Sequence, residues 1–233
     1  MKKIILFMII CFGLVFCGCN TVNDYSTESS ESIQSKDSIT DNSIKFKTDK
    51  KTKTLYISGE GPIFQRKWVK FSSIVEKTVL PVRIVIEIGA TLIDDYAFDN
   101  ESDGLWDEGR NGLNKVKEIT IPNTVTQIGK EAFHNLISLE SITIPDSVTW
   151  IGEGAFSECM SLRKIMLSSN IDELPKEIFY GCVSLKEITI PKSVKTIADD
   201  AFLLTDELTI KGYKGTAAEK YAEENGFKFV AVG

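Results

Sequence analysis

Asp99, Glu101 and Asp103, followed by Gly104, are spaced as the first half of a calcium-binding loop, where alternate oxygen ligands turn toward one cation. The twelfth position of such a loop requires a bidentate glutamate and here holds Arg110, so the segment reads as a solvated acidic loop, with a calcium site as the alternative. Cys159 and Cys182 are the only thiols of the chain body, and two thiols without a nearby histidine do not close a zinc site. Each lies three residues after a phenylalanine, in a slot that Leu136 holds elsewhere, which makes both buried thiols, with a disulfide between them as the alternative. The single histidine, His134, follows Phe133 at a position filled in other segments by Ser157, Tyr180 and Leu203. Chemistry so varied places it outward, with no column of nucleophiles beside it. The chain has no serine nucleophile elbow, no paired-histidine zinc motif and no phosphate-cradling glycine loop. The adjacent acids Asp94–Asp95 and Asp199–Asp200 read as solvated turns. No catalytic residue and no cofactor is expected.

These groups are carried by 233 residues with 27 Lys+Arg against 33 Asp+Glu, a formal charge of −6. That balance argues against a phosphate-backbone binder, which needs a basic face, so no nucleic-acid partner is expected. Hydrophobic residues make up 42%, enough for a packed core. Of the five cysteines, Cys11, Cys17 and Cys19 crowd the N-terminus, so the body is not a disulfide-stapled scaffold.

The N-terminus reads as an address. Lys2 and Lys3 precede an apolar run over residues 4–16, too short to cross a hydrocarbon core of about 30 Å but suited to a signal peptide. Phe16-Cys17-Gly18-Cys19 resembles a bacterial lipobox, with Phe16 and Cys17 departing from its usual residues. The resemblance implies that Cys19, behind the small Gly18, is diacylated and becomes the mature N-terminus. Two or more acyl chains anchor stably where one is marginal. Residues 1–18 are thus expected to be a signal peptide, whose removal takes away Lys2 and Lys3 and moves the charge from −6 to −8. An acidic chain has no polybasic attraction to anionic headgroups, which leaves the lipid as the anchor. Residues 19–44 read as a disordered tether: between 20 and 43, ten residues are Ser or Thr and five are acids, with no apolar period.

Elements able to position these residues follow from a period of 23. Ile119, Ile142, Ile165 and Ile188 keep it, as do Ile121, Ile144, Leu167 and Ile190, and Phe133, Phe156, Phe179 and Phe202. Pro122, Pro145 and Pro191 share another column, where Ser168 stands once. A degenerate copy ends at Phe98, 35 residues before Phe133, which places an acidic insert at about residues 99–112. In each unit Ile-x-Ile alternates as a strand, proline closes it, and a glycine such as Gly129 permits a tight bend. Glu131, Ala132 and Phe133 then make one helical or 3₁₀ turn that drives the phenylalanine inward. One unit cannot bury its apolar stripe alone, whereas stacked units bury a continuous one, so the fold class is a β-rich repeat solenoid of parallel strands.

Both ends of such a stack need lids. Residues 45–83 form the N-terminal capping region, with a hairpin suggested by the alternation around Phe46 and around Leu55 and Ile57. Residues 84–206 hold the repeats, and residues 207–233 the C-terminal cap. In that cap Thr216 and Glu219 make a capping box, opening a helix that stops at Gly226.

The recurrent Ile-Thr-Ile-Pro, Val125, Ile128-Gly129 and Ala132-Phe133 pattern resembles the BspA-like class of bacterial leucine-rich repeat. The segment from Leu55 to Gly61 with Trp68, and the segment from Gly215 to Tyr221 with Phe227 and Phe229, are similar to that family's entry hairpin and exit cap. The resemblance implies a cell-surface or secreted protein, some relatives being adhesins. Two outward ladders are candidates for contact: Glu118, Ser141, Lys164 and Glu187, and beside them Thr120, Thr143, Met166 and Thr189. Trp150 interrupts a column otherwise filled by Gln127, Glu173 and Thr196, and tryptophan is enriched at binding hot spots. The expected function is a lipid-anchored, outward-facing module of the bacterial envelope that binds a protein or polysaccharide through its repeat surface. The alternatives are a structural envelope protein without a specific ligand, and an enzyme with an unrecognised site.

Overall fold

A computed structural model describes residues 44–64, 80–100, 113–205 and 207–233. The Cys19 anchor, the tether, Trp68, and Glu101, Asp103 and Arg110 of the insert lie outside the described residues.

Strands β1 (Lys45–Asp49) and β2 (Thr54–Ser58) form an antiparallel hairpin, and β2 is the first rung of the stack. From there each unit makes one coil with two strands. The longer strands β4 (Arg83–Ile86), β6 (Glu118–Thr120), β8 (Ser141–Thr143) and β10 (Lys164–Met166) extend the sheet in parallel from β2. The shorter strands β3 (Gly61–Ile63), β5 (Ala90–Ile93), β7 (Gln127–Ile128) and β9 (Trp150–Ile151) form a second parallel sheet. Beyond it, β11 (Glu173–Leu174) pairs with β13 (Thr196–Ile197), and β12 (Glu187–Thr189) pairs with β14 (Thr209–Gly212) and β15 (Lys228–Ala231). Register follows the period: Ile142 lies beside Ile119 and Ile165, and Ile128 beside Ile93 and Ile151.

The column phenylalanines form the spine. Phe98, Phe133, Phe156, Phe179 and Phe202 stack in one row, with ring centroids 5.3, 5.3, 5.8 and 5.3 Å apart and planes within 20° of parallel. The helix α1 (Ala217–Asn225) closes the row by setting Tyr221 against Phe202 at 57°, and Phe227 meets the same ring edge-on. Gly226 ends the helix at φ 75°, a left-handed position that suits glycine.

Three local expectations are corrected. The segment around Phe133 makes a single turn, His134 donating to the Glu131 carbonyl at 3.1 Å, but no helix, because alternate amides serve the next coil: Glu131, Phe133 and Asn135 donate to the Glu153, Ala155 and Ser157 carbonyls at 2.9 Å each. The chain turns there through left-handed residues, Glu131 at φ 50° and Asn135 at 55°, which the next coil supplies as Gly154 and Glu158. Gly129 is required by close approach and not by a bend, since an added Cβ would lie 2.4 Å from the Asp95 amide nitrogen. In the C-terminal cap, Glu219 does reach back, accepting from the Gly215 amide at 2.6 Å. The Thr216 hydroxyl, however, donates to the Tyr213 carbonyl and caps no amide.

The coil containing β10 and β11 is the irregular one. It is laddered backward through β10 and forward through β11, but neither sheet runs through it in both directions. Its sequence departs most from the pattern, with Ser168 for proline and Pro175 for glycine. The Gly129, Gly152 and Ala198 amides bond the Ile93, Ile128 and Leu174 carbonyls of the preceding coil. Pro175 has no amide, so the matching bond to the Ile151 carbonyl cannot form. Side chains tie this coil back instead: the Ser168 hydroxyl donates to the Val148 carbonyl at 2.6 Å, and the Ser169 hydroxyl and amide donate to Asp146. Those bonds hold the Asp146 carboxyl below the usual carboxylate range.

Candidate binding surfaces

The long strands present the two ladders predicted from the sequence. Alternation buries Ile119, Ile142, Ile165 and Ile188 and turns their neighbours outward. Glu118, Lys164, Glu187, Thr120, Thr143 and Thr189 are exposed, Met166 is 54% exposed, and Ser141 is half-buried. Charges within the ladders are partly matched: Arg83 meets Glu118 at 2.8 Å and Lys211 meets Glu187 at 2.7 Å. One column further back, the Lys117 ammonium bonds Glu140 at 2.7 Å and holds its carboxyl low. Exposed pairs of this kind contribute little to stability and mainly neutralise the face.

Trp150 lies on the other sheet, 42% exposed, at the edge of a shallow open groove of about 530 Å³. The groove sits where β9 and β11 fail to pair, and Ile151, Glu173 and Pro175 line it with Trp150. Along its flank runs a column two residues past each short-strand isoleucine or leucine: Asp95, Lys130, Glu153 and Lys176, one per coil and alternating in sign. Tyr96, Glu131 and Glu153 around Lys130 raise its ammonium pKa above the ordinary value.

His134 is not outward. Its side chain is 11% exposed, and Nδ1 lies 2.9 Å from Asp99 Oδ1. The reason is the column itself: Asp99, His134 and Ser157 each follow a spine phenylalanine, so successive coils bring them side by side. The hydrogen bond to Asp99 raises the His134 pKa against the opposing effect of burial. Asp99, His134 and Ser157 stand in the order of a catalytic relay, but among the described residues no hydrogen bond joins His134 to Ser157, so only the Asp99–His134 half is formed. Asp99 is thus paired with His134, while Glu101 and Asp103 lie outside the described residues; among the described residues no group of three His, Cys, Asp or Glu side chains could hold a metal.

Cys159 and Cys182 are fully buried free thiols whose Sγ atoms donate to the Phe133 and Phe156 carbonyls. Burial pushes the Cys159 thiol up to about 12 and Cys182 well above its ordinary value, so neither is a nucleophile at neutral pH.

Two features escaped the sequence reading. The groove flank was visible only as Pro175 in a glycine column and as alternating charge at the coil period. A second exposed apolar column, Ile137, Met160 and Val183, carries the same 23-residue spacing and was not recognised as a row.

The architecture defines a leucine-rich-repeat solenoid, and comparison with known proteins agrees. Residues 111–219 match the model of the BspA type leucine-rich repeat region, in six copies. Among solved structures, a leucine-rich repeat protein of T. pallidum matches at 17% identity and TM-score 0.51, over 80% of this chain and 95% of that one. A leucine-rich repeat protein of Bacteroides ovatus matches at 22% identity and TM-score 0.47, over 77% of this chain and 56% of that one. A leucine-rich cell surface protein of Faecalibacterium prausnitzii matches at 20% identity and TM-score 0.36, over 66% of this chain and 60% of that one. The chain thus spans less than two thirds of the latter two proteins. Comparison with curated proteins gives no match.

Proposed function

We propose that this protein is a bacterial envelope lipoprotein, held by lipid on Cys19 and facing outward, whose repeat surface binds a protein or polysaccharide. The observation that carries the reading is the contrast between core and face. A stacked phenylalanine spine fixes the coils, while Trp150 and Met166 stand exposed among polar ladders at constant spacing. A rigid face costs little entropy when it meets a partner, and many modest contacts at fixed intervals suit an extended macromolecule. The grooves of the described residues are open and shallow, a poor shape for enclosing a small substrate. The sequence of residues 1–19 supports the address.

The test is capture from extracellular-matrix and envelope-polysaccharide fractions by the displayed full chain. Trp150→Ala or Met166→Ala weakens capture by at least about 1 kcal/mol without moving the melting temperature. Deletion of residues 100–109 tests the rival site on the insert. Binding lost on that deletion but intact in both point variants moves the site off the repeat face.

A further inference from the structure

The groove at the interrupted short-strand sheet has a more particular chemistry than the rest of the surface. We propose that it is a binding site for an uncharged, β-linked polysaccharide, with Trp150 as its stacking platform. The proposal rests on the surface-binding reading and names its partner class.

Three observations converge on that class. Trp150 offers a flat apolar ring at the groove edge, in a column whose other members are Leu92, Gln127, Glu173 and Thr196. A pyranose has one face of C–H bonds that packs on such a ring, while its rim of hydroxyls needs polar partners. The flank supplies those partners. Glu153 and Glu173 accept from hydroxyls, and Lys130 and Lys176 donate to them. Both signs line the groove, so a polyanion meets the carboxylates and a polycation meets the ammoniums, whereas an uncharged guest uses both without repulsion.

The third observation is the broken ladder. Because Pro175 has no amide, the Ile151 carbonyl lacks the donor that the Ile93, Ile128 and Leu174 carbonyls receive. The acceptor so left belongs to a residue that lines the groove beside the tryptophan, and a sugar hydroxyl reaching it would stand in for the missing amide. Addition of a peptide strand needs a run of free amides and carbonyls along an edge. Here β9 and β11 are two residues each and Pro175 contributes no donor, so the opening suits scattered hydroxyls better than a peptide backbone. Coils repeat at about 4.8 Å, close to the advance of one ring in an extended β-linked chain, so successive rings meet successive coils.

The experiment is calorimetric titration of the full chain, in a detergent without sugar headgroups, with cellohexaose, chitohexaose and β-mannohexaose, and with an oligogalacturonate of equal length. At least one neutral hexasaccharide binds, and the oligogalacturonate binds more weakly. Trp150→Ala weakens binding about tenfold or more, while Trp150→Phe retains most of it. Pro175→Ala, which returns an amide to the Ile151 carbonyl, weakens it about threefold. Both Trp150 variants keep the wild-type melting temperature. The proposal is overturned if no neutral hexasaccharide binds, if Trp150→Ala binds as well as wild type, or if the oligogalacturonate binds equally. Should the sugars fail while a captured protein is released by Trp150→Ala, the surface-binding reading stands and the polysaccharide class is lost. Should capture fail as well, both fall.

Discussion

Phe156→Ala probes the spine directly. The ring is fully buried in the middle of the row, 5.3 Å from Phe133 and 5.8 Å from Phe179. Removing a buried phenylalanine costs about 3–5 kcal/mol, and the cost rises when the surroundings cannot close on the gap. Here they cannot. Phe133 and Phe179 are held at coil spacing by the Phe133 to Ala155 and Phe156 to Ile178 backbone bonds, and the Cys159 thiol is tied to the Phe133 carbonyl. Two ring contacts worth roughly 0.5–1.5 kcal/mol each disappear as well, partly counted in the same total. The expected loss is therefore about 4–5 kcal/mol, a large share of the roughly 5–15 kcal/mol typical of a folded domain. With a urea m value of about 2–3 kcal/mol/M, the midpoint falls by roughly 1.3–2.5 M. Equilibrium urea unfolding followed by far-ultraviolet circular dichroism measures it, with Leu203→Ala, an exposed site, as a control expected within about 0.5 kcal/mol of wild type. A fall in m as well indicates coils on either side unfolding separately. A loss below about 1 kcal/mol, or one equal to the control, refutes the reading of the spine as the main source of cohesion.

Cys19→Ser is expected to release the protein to the soluble fraction or leave its precursor unprocessed; acylated, membrane-bound Cys19→Ser protein defeats the anchor assignment. Gly152→Ala puts a Cβ 2.5 Å from the Lys130 amide nitrogen and is expected to cost about 1–3 kcal/mol in thermal unfolding. Gly215→Ala, where a Cβ meets nothing within 4 Å, isolates the cost of the left-handed backbone at φ 73° and is expected to lose only about 1 kcal/mol. The raised pKa of His134 has a definite sign: its bond to Asp99 contributes fully below the unfolded value of about 6.5 and is lost as pH rises through the higher folded value. Melting temperature should therefore fall from about pH 6.5 upward more steeply in wild type than in His134→Gln, and parallel curves refute the pairing.

The stack was legible in the chain alone. A column of identical residue types every 23 positions has one economical physical solution, in which each apolar stripe is buried by its neighbours, so Ile119, Phe133 and Phe156 were legible as core. Cys159 was legible for the same reason, since a slot shared with Leu136 must be apolar. Periodicity says which residues share a column; it does not say how crowded or how wet that column is. That Gly129 is needed for the approach of Asp95 emerges on folding, because the neighbour lies in another coil. Folding likewise sends alternate amides of the turn at Phe133 to the next coil, so that a single bond, from His134 to the Glu131 carbonyl, closes within the turn and no helix propagates. His134 turned inward because Asp99, a full coil away and across the insert, supplied a charge partner that sequence distance conceals. The groove at Trp150 arose in the same way: Pro175 was visible in the chain, but the carbonyl it leaves without an amide partner belongs to Ile151 of the preceding coil, and only stacking brings the two together.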